Sequence, residues 1–248
     1  MNKISFHHPK IENDKRISYF TPAGSAYQKL ITDMISEIFI GEQYKRGKVK
    51  KDMVIMDVGA NIGLASLYFK DWAKVIYALE PNPKNYECLV ENTKAYPHIK
   101  PFNVGLVARS SVEYLRTNGE YPIAESLFGE GSITETVNMV SIDQFMREQN
   151  IEHVDLLKFD TEGAEYTVFP SEGFSKVASK IDYIIGEAHY FAKLIPDYIP
   201  VILKDAGFET EWLPIRNMFL VMTFDDVHKK RYQVDKYTIF FAKRKGIK

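Results

Sequence analysis

Short apolar runs alternate with amphipathic segments through most of the chain. Five runs have the length and β-branched content of buried strands. They cover residues 54–58, 75–79, 100–104, 154–159 and 183–185. One intervening helix is predicted to begin with Asn82 as N-cap and Pro83 at the first helical position. Another is predicted to begin at Ser141-Ile142-Asp143-Gln144, which resembles a capping box. This alternation is typical of a parallel sheet covered by helices on both faces.

The first fifty residues follow a different pattern. Apolar side chains at helical spacing predict an amphipathic helix over residues 23–40. A polar connector follows before the first apolar run. We therefore expect residues 1–50 to form an N-terminal helical cap that belongs to the same domain as the sheet.

Two further regions add strands to the prediction. Residues 111–117 and 135–140 have β-like content and predict an inserted β-hairpin. Residues 209–213 and 237–242 predict a terminal strand pair that completes the sheet. The predicted fold class is therefore α/β, with a doubly wound, mostly parallel, seven-stranded, Rossmann-like sheet in one domain over residues 51–248.

Charge and cysteine content narrow the class of protein. The formal net charge is −1, so no overall field attracts nucleic acid. Cys88 is the only cysteine, which favours a reducing compartment. No apolar run approaches the roughly 18 residues of a membrane helix, and the first ten residues lack a signal-peptide core. These features predict a cytoplasmic protein with no membrane span; they leave its oligomeric state open.

A glycine turn follows the first apolar run, at Asp57-Val58-Gly59-Ala60-Asn61-Ile62-Gly63. A dinucleotide fingerprint would have glycines at 59, 61 and 64, but this chain has Asn61 and Leu64. The middle glycine normally lets the backbone approach a pyrophosphate. The pattern therefore predicts a ligand that has a ribose and no pyrophosphate, which fits S-adenosylmethionine.

Polar residues end the predicted strands, where ligands bind in such sheets. They are Asp57, Glu80, Asn103, Asp160 and Glu187. Glu80 can accept both ribose hydroxyls, and Asp57 can orient the turn or meet a cationic amino-acid end. Gly59 and Gly63 permit a tight turn beneath the ligand. Asn103 and Val104 are expected beside the base; a turn asparagine and a core valine are equally consistent with the pattern.

An acidic segment, Asp160-Thr161-Glu162-Gly163-Ala164-Glu165, follows the fourth predicted strand. Three close carboxylates repel one another unless a lysine, a metal ion or a shared proton compensates them. Asp160 and Glu162 are the predicted catalytic acids, as a general base toward a hydroxyl or as ligands of a possible divalent metal. Alternatively, Glu162 and Glu165 cap the N-terminus of the next helix, where acids are favoured. His189 is the third catalytic candidate, since it shares a strand face with Glu187.

With these motifs the chain resembles the FkbM-type S-adenosylmethionine-dependent methyltransferases. The matching segments are 57–63, Glu80-Pro81-Asn82-Pro83, Val140-Ser141-Ile142-Asp143 and 157–165. The resemblance implies the class I methyltransferase fold, S-adenosylmethionine as cofactor with Asn82 near it, and O-methylation of a sugar, glycan or secondary-metabolite hydroxyl. Residues 1–50 and 190–248 carry no family pattern, so the acceptor is not identified.

Three other functions are alternatives. The missing dinucleotide glycines argue against a nicotinamide oxidoreductase. A methyltransferase of nucleic acid or protein is the next alternative, but base amino-group methylation usually accompanies Asn-Pro-Pro-Tyr where this chain has Asp160-Thr161-Glu162-Gly163. A non-catalytic scaffold that binds the cofactor would not need an intact acidic cluster. The expected partner is therefore a small-molecule or glycan acceptor and not nucleic acid.

Overall fold

A computed structural model describes residues 1–6, 17–22, 31, 34–45, 50–117, 132–189, 198–213 and 237–247. Its strands are β1 Asn2–Phe6, β2 Ile17–Thr21, β3 Met53–Val58, β4 Ala73–Leu79, β5 Ile99–Phe102, β6 Gly105–Leu106, β7 Ser111–Thr117, β8 Ser132–Val140, β9 Val154–Phe159, β10 Ile181–His189, β11 Phe208–Leu213 and β12 Tyr237–Arg244. Its α-helices are α1 Leu64–Phe69, α2 Pro83–Thr93, α3 Ile142–Glu148, α4 Glu165–Val168, α5 Glu172–Val177 and α6 Tyr198–Asp205. A π-helical turn covers Ser36–Ile40, and a 3-10 turn covers Ala178–Lys180.

Seven strands form the central sheet in the order β11-β12-β10-β9-β3-β4-β5. The five strands from β10 to β5 are parallel, and β12 runs antiparallel to both β10 and β11. The predicted doubly wound, mostly parallel seven-stranded sheet is confirmed. The strand order reverses between β9 and β3, which places the crevice expected to bind a ligand at the carboxyl ends of those strands. We call this side of the sheet the carboxyl edge and the opposite side the amino edge.

Alternating side chains of the strands enter two separate cores, one on each face of the sheet. In β3, Met56 and Val58 belong to the core that α3, α5 and α6 cover, whereas Met53 and Ile55 belong to the core that α1 and α2 cover. Tyr19 also lies in the second core, with Ile31, Ile35, Ile38 and Tyr44. The N-terminal residues therefore pack on the same sheet as the rest of the chain.

The N-terminal cap contains strands as well as helix. β1 and β2 form an antiparallel hairpin, which the predicted helical cap did not include. The backbone N–H of Phe20 donates to Asn92 Oδ1 at 2.6 Å, and Asn92 Nδ2 donates to the Phe20 carbonyl at 3.0 Å, which ties the hairpin to α2. Of the predicted helix over 23–40, residues 23–30, 32 and 33 lie outside the described part of the chain; the rest contains helical residues and the π-helical turn.

The predicted β-hairpin is confirmed, and it lies outside the main sheet. β7 pairs antiparallel with β8, while the short strand β6 pairs parallel with β8 on its other side. β8 is longer than predicted and begins at Ser132. Residues 118–131, which include the glycine-rich connection, lie outside the described residues.

Helix α3 forms where the sequence predicts it, but the predicted capping box does not form. Ser141 occupies the N-cap position without a side-chain cap, and its hydroxyl donates to Asp143 Oδ1 at 2.7 Å. Gln144 Oε1 accepts from Ser110 at 2.6 Å. Asp143 and Ser110 therefore bind the two side chains, of Ser141 and Gln144, that a capping box would use. No helix in the described part of the chain is long and apolar enough to span a membrane.

Candidate active site

The glycine turn, residues 59–63, leaves the end of β3 in a left-handed conformation. The φ angles of Gly59, Asn61 and Gly63 are +74°, +51° and +93°. A Cβ on Gly59 would lie 1.7 Å from the Asp160 carbonyl oxygen, so no other residue fits there. Asn61 tolerates the left-handed conformation better than most residues, and its Oδ1 accepts from the Ile62 N–H at 2.8 Å. The sequence difference from a dinucleotide fingerprint therefore gives Asn61 a role in shaping the turn.

Glu80, directly after β4, braces that turn. Its Oε2 accepts from the Asn61 backbone N–H at 2.8 Å, and its Oε1 accepts from the Asn82 N–H at 2.9 Å. Burial raises the pKa of Glu80 to about 7, although these two N–H groups partly offset the effect. Each carboxylate oxygen can accept more than one hydrogen bond. The predicted role of Glu80 toward the ribose hydroxyls is compatible with these contacts and stays a prediction.

Asp57 is fully buried within β3. Its Oδ2 accepts from the Ser66 hydroxyl at 2.6 Å, and its Oδ1 lies 3.2 Å from Lys158 Nζ. These partners belong to α1 and β9. Of the two roles predicted for Asp57, the contacts fit orientation of the glycine turn better than a direct contact with a cationic ligand.

Three further predicted cofactor residues lie next to Glu80. Asn82 caps α2, since its Oδ1 accepts from the N–H groups of Lys84 and Asn85 at 2.8 and 3.2 Å. Asn103 Nδ2 donates to the carbonyls of Glu80 and Pro81 at 3.0 and 2.9 Å and so holds the loop after β4. Val104 is partly buried against the core. Asn103 thus has the turn role and Val104 the core role that the sequence left open. Their contact with the cofactor base stays a prediction.

The acidic loop, residues 160–165, brings its carboxylates around His189 at the end of β10. His189 Nε2 lies 3.7 Å from Asp160 Oδ1 and 3.5 Å from Glu162 Oε2. His189 Nδ1 lies 3.2 Å from Glu165 Oε1. The loop reaches this position through left-handed conformations at Glu162 and Gly163, with φ of +52° and +115°. The three predicted catalytic residues are therefore neighbours.

The carboxylates around His189 favour its charged form. Its side chain is only 4% exposed, and burial by itself would lower its pKa. The carboxylates of Glu162, Glu165 and Asp160 outweigh that effect and raise the pKa of His189 well above its usual range. In its protonated form His189 would act on the carboxylates around it by charge and hydrogen bonding.

Glu165 supports this arrangement from beneath. It is fully buried, and its Oε1 accepts from both the backbone N–H and the hydroxyl of Thr161 at 3.0 Å. The same oxygen faces His189 Nδ1. Glu165 therefore closes the acidic loop and orients the imidazole, a more specific role than the helix capping considered from sequence.

Two residues that no sequence motif identified complete the site from the N-terminal side. Tyr44 donates its hydroxyl to Glu187 Oε1 at 2.8 Å, and Gln43 Nε2 donates to the same oxygen at 2.5 Å. The Tyr44 hydroxyl also lies 3.4 Å from Asp160 Oδ2. Burial and the nearby Asp160 charge raise the pKa of Glu187 well above its usual range. Tyr44 is 143 residues from Glu187 in a polar connector, so no local pattern could have revealed the contact.

Asp160, Glu162 and His189, which we call the carboxyl-edge cluster, also have the geometry of a metal site. Their nearest ligand atoms all lie within 4.8 Å of one another. Two carboxylate oxygens and an imidazole nitrogen suit Mn²⁺ or Zn²⁺, and a ligating histidine usually has a carboxylate on its other nitrogen, as Glu165 is here. The residues therefore fit a divalent ion, which would take the place of the proton on Nε2.

Comparison with known proteins gives a family match. The family model described as "Methyltransferase FkbM domain" matches residues 57–210, more than half of the chain. The chain is 28% identical over 170 residues to "Hexuronic acid methyltransferase AglP" of Haloferax volcanii, covering 66% of each protein. It is 27% identical to "Methyltransferase sdnD" of Sordaria araneosa, covering 83% of this chain and 93% of that protein.

One solved structure has a similar fold. The fibrillarin pre-rRNA processing protein of Methanococcus jannaschii superposes with a TM-score of 0.51 at 16% identity, covering 99% of this chain and 84% of that one. At this identity the likeness concerns the fold alone.

Proposed function

The chain belongs to the FkbM methyltransferase family, and on that premise we propose that it transfers a methyl group from S-adenosylmethionine to a hydroxyl oxygen of a sugar, glycan or secondary-metabolite acceptor. One observation carries the proposal: the glycine turn lies directly against the backbone of Asp160, so the predicted cofactor site adjoins the carboxyl-edge cluster. A cofactor held by the turn would therefore have acids beside it.

The residues of the turn fit the cofactor. Gly59 and Gly63 leave the turn without side chains at two points. Glu80 offers carboxylate oxygens next to the turn. We assign the cofactor to these residues with Asp57, Asn61, Asn82, Asn103 and Val104. When bound, S-adenosylmethionine supplies a methyl group that its sulfonium charge already activates.

The chain's own task is to position the acceptor hydroxyl and remove its proton. Asp160 and Glu162 are suited to this task, because their side chains are partly exposed at 24% and 35% while His189 is buried. One carboxylate would take the proton as the hydroxyl oxygen bonds to the methyl carbon and the carbon–sulfur bond breaks, leaving S-adenosylhomocysteine. His189 keeps both carboxylates in place, since its Nε2 lies 3.7 Å from Asp160 and 3.5 Å from Glu162.

A carbohydrate acceptor is supported by the relative AglP, whose name gives a hexuronic acid as its substrate. The match is distant and extends over two thirds of each protein at most, so the acceptor class is a proposal for this chain. Sugar hydroxyls are poor nucleophiles, and this is the reason that a base beside the cofactor matters.

The test is methyl transfer by the purified full chain. It is incubated with S-adenosylmethionine and separate pools of hexuronic-acid glycosides, neutral glycosides, hydroxylated polyketides, RNA and peptides. Release of S-adenosylhomocysteine and the mass gain of the acceptor are measured. We expect transfer to the oxygen of a glycoside or polyketide. Transfer only to RNA or peptide, or cofactor binding without transfer to any pool, would contradict the proposal.

A divalent metal at the carboxyl-edge cluster is a second possibility, favoured by the spacing of its three ligand atoms. The ion would orient the acceptor hydroxyl and lower its pKa. The test is turnover after dialysis against EDTA, followed by addition of Mg²⁺, Mn²⁺ or Zn²⁺. Loss and recovery of turnover support a metal-assisted reaction, whereas unchanged turnover supports carboxylate catalysis alone.

A further inference from the structure

Lys158 lies at the centre of the candidate site; the sequence predicts for it no role beyond a possible counter-ion of the acidic segment that it precedes. It belongs to β9 and stands directly opposite Asp57 in the parallel pairing of β9 with β3. Its Nζ donates to the Gly59 carbonyl at 2.8 Å and lies 3.2 Å from Asp57 Oδ1 and 3.5 Å from Asp160 Oδ2. An ammonium group has three donors, and here three oxygens lie within 3.5 Å of it.

Burial of this charge needs an explanation beyond stability. The side chain is 3% exposed; although burial lowers the pKa of Lys158, the carboxylates of Asp57 and Asp160 outweigh it, so the group stays charged. The Tyr44 ring also lies near the ammonium, with its centroid 5.7 Å from Nζ. Replacing buried ion pairs by apolar residues is often neutral or stabilising, so such pairs are weak evidence for a role in stability. What the ammonium does provide is a hydrogen bond that fixes the position of the Gly59 carbonyl.

The partners of Lys158 belong to two loops that are already in contact. Gly59 lies so close to the Asp160 carbonyl that a side chain would not fit between them, and the Asp160 N–H donates to the Val58 carbonyl at 3.1 Å. The backbones of the glycine turn and the acidic loop are thus in contact. The Lys158 ammonium links them again, because it contacts the Gly59 carbonyl and the Asp160 carboxylate.

We propose that Lys158 is a positioning residue that holds the glycine turn in its cofactor-binding shape and in a fixed relation to Asp160. Resting on the proposed function, this means that a single cation aligns the methyl donor with the base. Lys158 contacts the Gly59 carbonyl rather than the reacting atoms, so it acts through the turn.

The test must separate this role from simple neutralisation of Asp57. Lys158→Met alone would leave a buried, uncompensated carboxylate and could unfold the protein. The comparison therefore starts from Asp57→Asn, in which that charge is absent, and adds Lys158→Met as the double variant. The matched control is the pair Asp155→Asn and Asp155→Asn/Lys50→Met at the amino edge, where Lys50 Nζ lies 2.6 Å from Asp155 Oδ1.

Affinity for S-adenosylhomocysteine is measured by calorimetry on the full chain. We expect Asp57→Asn/Lys158→Met to bind at least about tenfold more weakly than Asp57→Asn, because a hydrogen bond from a charged donor to the turn is lost. The two control variants should bind equally. Equal affinity of Asp57→Asn and its double variant would overturn the proposal and leave Lys158 as a counter-ion only.

A second measurement does not depend on the cofactor. Amide hydrogen exchange across residues 56–66 should be faster in the double variant than in Asp57→Asn, with unchanged exchange in β11 and β12. If the wild-type chain does not bind S-adenosylhomocysteine, the proposed function fails, and the exchange data still decide whether Lys158 holds the turn. Unchanged exchange in residues 56–66 would contradict the proposal that Lys158 fixes the shape of the turn.

Discussion

The two ends of strands β9 and β10 each carry a cluster of one histidine and two acids. Asp160, Glu162 and His189 lie at the carboxyl edge; His153, Asp155 and Asp182, the amino-edge cluster, lie at the starts of the same strands. In both groups the possible ligand atoms lie within 4.8 Å of one another. Residue type and spacing alone would give both groups the same function.

Their surroundings differ. At the amino edge, Lys50 and Arg244 place cations 2.6 Å from Asp155 Oδ1 and 2.8 Å from Asp182 Oδ1, and the histidine side chain is 46% exposed. At the carboxyl edge the histidine is buried. The amino-edge acids are thus compensated by fixed side chains and hold β9, β10 and β12 together. The carboxyl-edge acids adjoin the glycine turn and retain exposed oxygens, which suits a reaction.

The largest expected difference concerns turnover. Glu162→Gln removes a carboxylate that we assign to the acceptor proton, so turnover should fall by about 10²–10⁴-fold, as for loss of a general base. Affinity for S-adenosylhomocysteine should stay nearly unchanged. Asp155→Asn, at the amino edge, should keep wild-type turnover in the same assay of S-adenosylhomocysteine release. Wild-type turnover in Glu162→Gln would remove the distinction between the two clusters.

Stability should separate the two histidines. His189→Gln leaves the buried Glu165 carboxylate without its cation and should cost about 3–5 kcal/mol, the range for breaking a buried ion pair. His153→Gln removes a half-exposed contact and should cost about 0–1 kcal/mol. Urea denaturation at pH 7 measures both, and equal losses would show that burial does not distinguish the clusters.

The stabilisation by His189 should also depend on pH in a defined direction. Its pKa is raised in the folded protein, so its contribution is fully present below the unfolded value of about 6.5 and is lost as pH rises through the folded value. The stability difference between wild type and His189→Gln should therefore shrink at alkaline pH. A difference that grows with pH would contradict a protonated His189.

A smaller effect is expected for cofactor affinity. Glu80→Ala at the carboxyl edge should weaken binding of S-adenosylhomocysteine by about 1.5–3 kcal/mol, as expected for charge-assisted hydrogen bonds to a ribose. Asp182→Asn at the amino edge serves as the control and should bind normally. Calorimetry on both variants gives the answer; unchanged affinity in Glu80→Ala would withdraw the ribose assignment.

The smallest effect is the pH dependence of that affinity. Because the pKa of Glu80 is about 7, a falling pH protonates the carboxylate that should accept the ribose hydroxyls. Affinity should decrease by up to about tenfold per pH unit below 7 and level off above it. Glu80→Gln should flatten the profile. The same dependence in both proteins would assign the proton to another group.

Much of this arrangement could be predicted from local patterns. The strands, the glycine turn and the carboxyl-edge acids follow from apolar periodicity and from the rule that ligands bind where parallel strands end. The hairpin of β1 and β2 was not predicted, because the helical spacing of apolar residues in 23–40 is a stronger signal than any strand pattern before it. The Ser141 box failed because polar neighbours took its hydrogen-bonding groups.

The sequence by itself therefore determined the α/β sheet, the family and the acids at the ends of its strands, since each depends on residues close together in the chain. The tertiary structure decided which acids pair with cations away from the glycine turn and which lie beside it with partly exposed side chains. Lys158 meets Gly59 across 99 residues, and Tyr44 meets Glu187 across 143. Such contacts arise from strand order and packing, which is why two clusters of like composition have different surroundings.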